Sequence, residues 1–227
     1  KLKIPHFKMK SKMKGKSTTP TRSYGGVSAE NRETQRRDQL IEAGVSGFGK
    51  TGFAGTTIES LCTEARVSTR DFYRFFGSKE DLLLEVYDRV IDDAMLAVTT
   101  ALAEHELEHR DDIAGAMHAG LGAFAESMTA DEDRARINFI VVVGVSARVE
   151  LRRREAIHGF AQLIEAFIGI LDQRGLVKHE IISPVLYVAL VGAIHETLTD
   201  WVIRSERPPL DGVVADLANL FRVTLAA

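Results

Sequence analysis

Apolar residues recur along this chain at three- and four-residue intervals, and the intervals break at a few definite places. Ser28 stands before a segment with Glu30 and Glu33 in its first turns, running through Leu40, Ile41 and Val45 toward Phe48, which predicts a capped amphipathic helix. Five glycines between positions 44 and 55 are expected to end it. Thr56 or Thr57 then caps a short helix whose Ile58, Leu61, Cys62 and Ala65 follow the i, i+3, i+4, i+7 spacing. After a break at Arg66-Val67, Ser68 caps a second short helix, with Phe72 and Phe76 one turn apart and facing inward. Gly77 closes it, and Ser78-Lys79-Glu80-Asp81 opens another, with a polar cap and acids at the positive end of the helix dipole.

Everything beyond Asp81 keeps the helical period. A long segment from Leu82 to about Ala103 leads to a polar break, EHELEHRDD, and segments around 112–129 and 131–145 follow. Ile157, Phe160, Leu163, Ile164, Phe167, Ile168 and Leu171 then share one face of an amphipathic run that Gly175 stops. The segment opened by Pro184 is apolar on nearly every side for three turns, so neighbours must cover it all round. Pro208-Pro209 separates it from a last helix carrying Leu210, Val213, Val214, Leu217, Leu220 and Phe221. No run shows strand alternation and no internal repeat stands out. The fold class is therefore all-α, with two short helices joined by a tight turn, the helix-turn-helix unit, near the front.

Composition narrows the function. The chain has 227 residues, 45% of them hydrophobic, enough for a sizeable core. Cys62 is the single cysteine, which excludes an internal disulfide and suits a reducing, cytoplasmic setting. The longest nearly uncharged apolar stretches, 139–145 and 185–194, fall short of the roughly 18 to 20 residues that span a bilayer, and the lysine-dotted start does not read as a secretory signal. The net charge of −3 hides an asymmetry: residues 1–26 hold seven Lys and one Arg with no acid, 27–80 are balanced, and 81–227 therefore carry −11. A basic front on an acidic body points to a polyanionic partner for the front alone. Residues 1–27 read as a flexible basic arm, either a DNA contact or a solvated tail.

Two catalytic patterns are present letter for letter. Gly44-Val45-Ser46-Gly47-Phe48-Gly49-Lys50-Thr51 fits G-x-x-x-x-G-K-[ST], and His105-Glu106-Leu107-Glu108-His109 fits H-E-x-x-H. A phosphate loop needs a buried strand before it and a helix starting at its lysine. Here NRETQRRDQLIEA precedes the glycines, charged and helical, while Gly52 and Gly55 follow. A zinc helix needs both histidines aimed into a cleft and a third ligand, whereas HELEH is polar all round and lies where two helices join. A nucleotide-hydrolysing or zinc-dependent enzyme is thus the disfavoured alternative, and no cofactor or metal is expected.

TTIESLCTEARVSTRDFYRFFGSKEDLL, residues 56–83, resembles the DNA-binding motif of the tetracycline-repressor (TetR) family of bacterial transcriptional regulators. The likeness rests on Thr56-Thr57, Val67-Ser68, Phe72-Tyr73, Phe76 and Ser78-Lys79-Glu80, and covers about a quarter of the chain. Arg66 stands where the family usually has a turn glycine; if the turn needs positive φ, that costs about 1 kcal/mol. Thr69, Arg70 and Arg74 lie on the side of the second short helix away from Phe72 and Phe76, with Arg70 placed to reach guanine in a major groove. Tyr73 and Lys79 resemble the family's phosphate contacts, and Thr57 and Ser68 offer hydroxyls and helix N-termini to the DNA backbone.

The resemblance further implies a homodimer on a palindromic double-stranded operator and a small-molecule effector, apolar or aromatic, that releases a repressor. Residues 28–80 would form the DNA-binding domain and 81–227 the effector-binding and dimerisation domain. Phe124, Met128, Phe139, Tyr187, His195 and Trp201 are candidate ligand contacts or core residues. Gly192, Ala193, Leu217 and Phe221 belong either to a dimer seam or to the internal core. A helix-turn-helix architectural protein without effector is the third reading, and it would lack a ligand pocket.

Overall fold

The computed structural model describes residues 29–177 and 183–225; Ser28 and the basic arm lie outside the described residues. The described chain is helical throughout, in the order α1 (Ala29–Gly55), α2 (Ile58–Ala65), α3 (Thr69–Phe75), α4 (Lys79–Glu104), α5 (Arg110–Met128), α6 (Glu132–Arg136), α7 (Ala147–Gln173), α8 (Pro184–Ile203) and α9 (Leu210–Leu225). One π-helical turn, Ile137–Val141, continues α6.

Local chemistry accounts for most of the starts. Thr57, Ser68, Ser78, Asp131, Ser146 and Ser183 each accept a backbone N–H from the turn that follows, which satisfies one of the donors a helix leaves unpaired. Thr57 and Ser60 do so reciprocally, as a capping box. Proline at the first position of α8 fits the same rule, because its missing N–H would have had no partner.

The end of α1 differs from expectation. Gly44, Gly47 and Gly49 do not end the helix, which runs through Lys50 and Thr51; only Gly52, at φ 73° and ψ 173°, leaves helical geometry. That conformation is open to glycine and to almost nothing else. Gly49 is helical for another reason: a Cβ added there would stand 2.4 Å from Asp133 Cβ and 2.5 Å from Asp133 Cα. The α1 backbone therefore lies directly on α6, and Arg136 Nε donates to the Gly49 carbonyl at 2.8 Å across the contact.

Helix α4 is the central rod. Leu82, Leu83, Val86, Val90, Ala94 and Val98 are buried along it, against α1 at its start, α5 over its length and α7 beside it. Surface ion pairs repeat the α4 to α7 contact: Arg148 reaches Asp81 at 2.5 Å and Arg152 reaches Asp88 at 2.5 Å. Helix α8 has the length and mean hydropathy, 1.2, to cross a bilayer, more than the 185–194 stretch alone indicated. In the fold it packs on α7, α9 and the π turn, and Tyr187, Leu190, Val191 and Leu198 are buried there.

Gly49→Ala should force α1 and α6 apart and destabilise the fold by roughly 1 to 3 kcal/mol, since the obstructing atoms include backbone. Urea unfolding measures this, and an unchanged midpoint would mean the helices separate without cost.

Candidate nucleic-acid interface and effector cavity

Helices α2 and α3 are held across α1 by Leu61, Ala65, Val67, Phe72 and Phe76, all buried. The turn between them is built on Arg66, at φ 54° and ψ 40°, the one non-glycine residue with positive φ among the described residues. The Arg66 and Val67 N–H groups close the end of α2 onto the Thr63 and Cys62 carbonyls at 3.2 and 3.0 Å. The missing turn glycine is thus present as a strained arginine, at a cost of about 1 kcal/mol. Its side chain is exposed at the motif's tightest point.

Helix α3 turns one face to solvent. Thr69, Arg70, Tyr73 and Arg74 are exposed on it, while Phe72 faces the core, edge-on to the Tyr73 ring at 5.5 Å. Arg70 makes no hydrogen bond or ion pair among the described residues, so its guanidinium fork is available. Arg74 is committed more closely: it pairs with Glu33 of α1 and lies 5.6 Å over the Phe75 ring. Ser68 Oγ accepts from Asp71 N at 3.1 Å and donates to Asp71 Oδ2 at 3.0 Å, and Arg36 reaches the same carboxylate at 3.3 Å. Caps and ion pairs therefore fix the angle of α3 against α1.

Lys79 stands in a role that the resemblance does not supply. Its Nζ donates to the Phe53 and Thr56 carbonyls, both at 2.6 Å, and sits 4.3 Å over the Phe53 ring. Two of its three donors thus close the kinked end of α1.

The two enzyme patterns resolve into ordinary helix geometry. Gly44 to Thr51 lies inside α1, so its N–H groups point along a helix axis instead of around a phosphate. Lys50 Nζ donates to Ser46 Oγ at 2.9 Å, and Thr51 Oγ1 to the Gly47 carbonyl at 2.9 Å. His105 ends α4 and His109 precedes α5, with Leu107 buried between them and its carbonyl held by Arg174 at 2.9 Å. Among the described residues no three His, Cys, Asp or Glu side chains gather as a metal would require.

A narrow cavity of about 80 Å³ lies between α4, α5, α7, α8 and α9. Its walls include Val98 and Leu102 of α4, Phe124 of α5, Phe160 of α7 and Ile194 of α8, and no polar side chain lines it. Phe124 and Phe160 meet edge to face at 4.9 Å on one wall.

The sequence profile described as bacterial regulatory proteins of the tetR family matches residues 40–86. The transcriptional regulator TcmR of Streptomyces glaucescens is 30% identical over 201 residues, covering 83% of this chain and 84% of that one. The chain belongs to the TetR family of transcriptional regulators. A 65-residue stretch also matches the transcriptional repressor NicS of Pseudomonas putida at 38% identity; the chain spans 30% of that relative's length. Two solved TetR-like folds lie near it. The fatty acid degradation regulator FadR of Bacillus halodurans has a TM-score of 0.72 at 17% identity, covering 82% of this chain and 93% of that one. FadR of Bacillus subtilis, solved with stearoyl-CoA, has 0.68 at 18%, covering 81% and 96%. At such identities the likeness is one of fold.

Within this TetR fold the six expected ligand residues divide. Phe124 lines the cavity, while Met128, Phe139, Tyr187, His195 and Trp201 do not. Met128 and Tyr187 are buried core. Trp201 Nε1 donates to the Pro208 carbonyl at 2.8 Å beside Arg207. Phe139 packs against His195 at 5.3 Å. The expected seam residues divide too: Leu217 and Phe221 are buried within the protomer, Phe221 on the cavity wall, whereas Gly192 is exposed with open space around it. Sequence reasoning passed over Asn138, fully buried on the π turn; its signal was a lone amide inside the run INFIVVV.

Lys79→Met should destabilise the fold by about 1 to 3 kcal/mol by leaving two carbonyls without their charged donor. Thermal unfolding measures it; unchanged stability with weakened DNA binding would return Lys79 to phosphate contact alone.

Proposed function

We propose that this regulator is a homodimeric repressor, released from a palindromic operator when a small apolar molecule enters the cavity. The wholly apolar lining between five helices supports this most directly, because a protein that only organised DNA would gain nothing from leaving that space unfilled. The neighbours agree in kind: NicS is described as a repressor, and one FadR was solved with stearoyl-CoA.

In this reading residues 28–80 read DNA and 81–227 sense the effector and dimerise. Arg70 contacts a base edge; Thr57, Ser68, Thr69 and Tyr73 position the backbone, joined by Arg74 and by the remaining donor of Lys79. Gly192 and Ala193 let two α8 helices approach, flanked by the exposed Val185, Ile203, Leu220 and Val223 of α8 and α9. The 26 residues of α4 make a rod of about 39 Å with Lys79 at one end and cavity-lining Val98 and Leu102 toward the other. A ligand that moves the α4 wall shifts the spacing of the two α3 helices away from successive major grooves.

Arg70→Ala should cost about 1 to 3 kcal/mol at one base pair of each half-site while leaving the fold unchanged. Footprinting with base-substituted operators measures it, and an unaltered footprint would remove Arg70 from base contact. For the effector, operator affinity with and without the molecule that co-purifies with the protein should differ by at least about tenfold. Equal affinities would rule out ligand release.

A further inference from the structure

One residue of the DNA-binding unit is held in a backbone conformation that its own side chain makes costly. Arg66, at φ 54° and ψ 40°, ends α2 in the left-handed region, where a Cβ crowds the following carbonyl. Ala65 and Val67 are buried on either side of it, and the Arg66 and Val67 N–H groups bond back into α2. The turn therefore dictates this backbone, and a glycine would fill it without strain. Among the described residues the Arg66 guanidinium makes no hydrogen bond, ion pair or ring contact that would offset the cost. A strained residue with no compensation inside the fold directs attention to what its side chain does outside it.

The charges around it narrow what that is. In the same unit Arg36 pairs with Asp71, Arg37 with Glu85 and Arg74 with Glu33, while Lys50 bonds Ser46 and Lys79 closes the end of α1. Arg66 and Arg70 are exposed and carry no such tie among the described residues, and they flank the Ser68 cap at the start of α3. On its other side Arg66 ends an open polar groove along α1, in which Glu42 and Glu64 are exposed and Asp38 is taken by Arg89 at 2.6 Å. Those carboxylates repel an anion from the groove itself, so an anion meets Arg66 from the α3 side. Ser68 is two residues away, at most about 7 Å along the chain, and an extended arginine side chain covers about the same distance. A phosphate against the Ser68 hydroxyl is therefore within reach of the Arg66 guanidinium.

We propose that Arg66 is a DNA-phosphate contact, its guanidinium holding the backbone at the phosphate that the Ser68 hydroxyl positions and leaving the base edges to Arg70. The inference rests on DNA binding by α2 and α3 and is independent of the effector reading. A guanidinium can take two phosphate oxygens at once, which fixes orientation as well as charge. Phosphate contacts carry no sequence information, so Arg66 strengthens binding to any duplex, at the expense of some strain in the fold.

The test uses the full chain, urea unfolding and a random-sequence duplex of about 30 base pairs, long enough for the sequence-independent contacts alone. In Arg66→Gly the unfolding midpoint should be held or raised, because the strain is gone. Duplex affinity should nevertheless fall roughly five- to tenfold at about 0.1 M salt, and the slope of log affinity against log salt should shrink by about 0.9, the share of one phosphate. Arg66→Lys, which keeps a cation, should retain the wild-type slope. Wild-type affinity and slope in Arg66→Gly would overturn the assignment and leave DNA binding by α3 intact. A lowered midpoint would overturn it as well, returning the side chain to the fold. A wild-type protein that does not bind the duplex would overturn DNA binding by α2 and α3, and this inference with it.

Discussion

A helix that stops must hand its last carbonyl groups to other donors, and the joint of this molecule is where α1 does so. The break at Gly52 frees the final turn. Thr56 takes the Gly52 carbonyl through its hydroxyl, Thr51 takes that of Gly47, Lys79 takes those of Phe53 and Thr56, and Arg136 takes that of Gly49. Two of these donors are cations at the negative end of a helix dipole. They come from the first residue of α4 and the last of α6, so one helix end gathers the DNA-binding unit and two elements of the larger body.

The closeness of that joint sets what the rest can do. Because α1 touches α6 backbone to side-chain root at Gly49, little compliance remains between them, and movement of either carries the other. The ties between α4 and α7 are of another kind. Arg148 is well exposed, and surface pairs of that sort contribute little each; Arg152 is more enclosed, and its partner Asp88 is pushed up by burial, partly offset by the guanidinium itself. The body is therefore stiff where it meets α1 and more loosely tied where α4 runs past α7.

Much of this was legible in the sequence, and the exceptions share a cause. The helix order, the caps at Ser68 and Ser78, a cap at Thr56 or Thr57, and the inward Phe72 and Phe76 follow from local period and hydrogen-bonding chemistry; the structure settles the open choice on Thr57. Arg66 was legible as well, because the turn dictates the backbone whatever residue fills it. The glycines of α1 were misread because propensity treats them as breakers, whereas packing against α6 recruits one of them into the helix. The structural role of Lys79 was not legible because its carbonyl partners lie 23 and 26 residues away. Leu217 and Phe221 illustrate a limit of periodicity: it marks a face as apolar but not whether the same chain or a second copy covers it. The cavity was invisible for a related reason, since its lining reads as ordinary core.

The π turn at Ile137–Val141 is in effect one residue more than an α-helix needs over that stretch. The surplus sets the register between the Gly49 contact and the buried amide that follows it. An α-helix advances 100° per residue, so removing a single residue there would leave Arg136 on α1 but swing Asn138 and Phe139 about a quarter turn from His195. The joint and the Phe139–His195 contact are thus coupled by chain length as well as by packing. Insertions and deletions of one residue in this segment would uncouple them without altering any side chain, a kind of variation to which substitution scanning is blind.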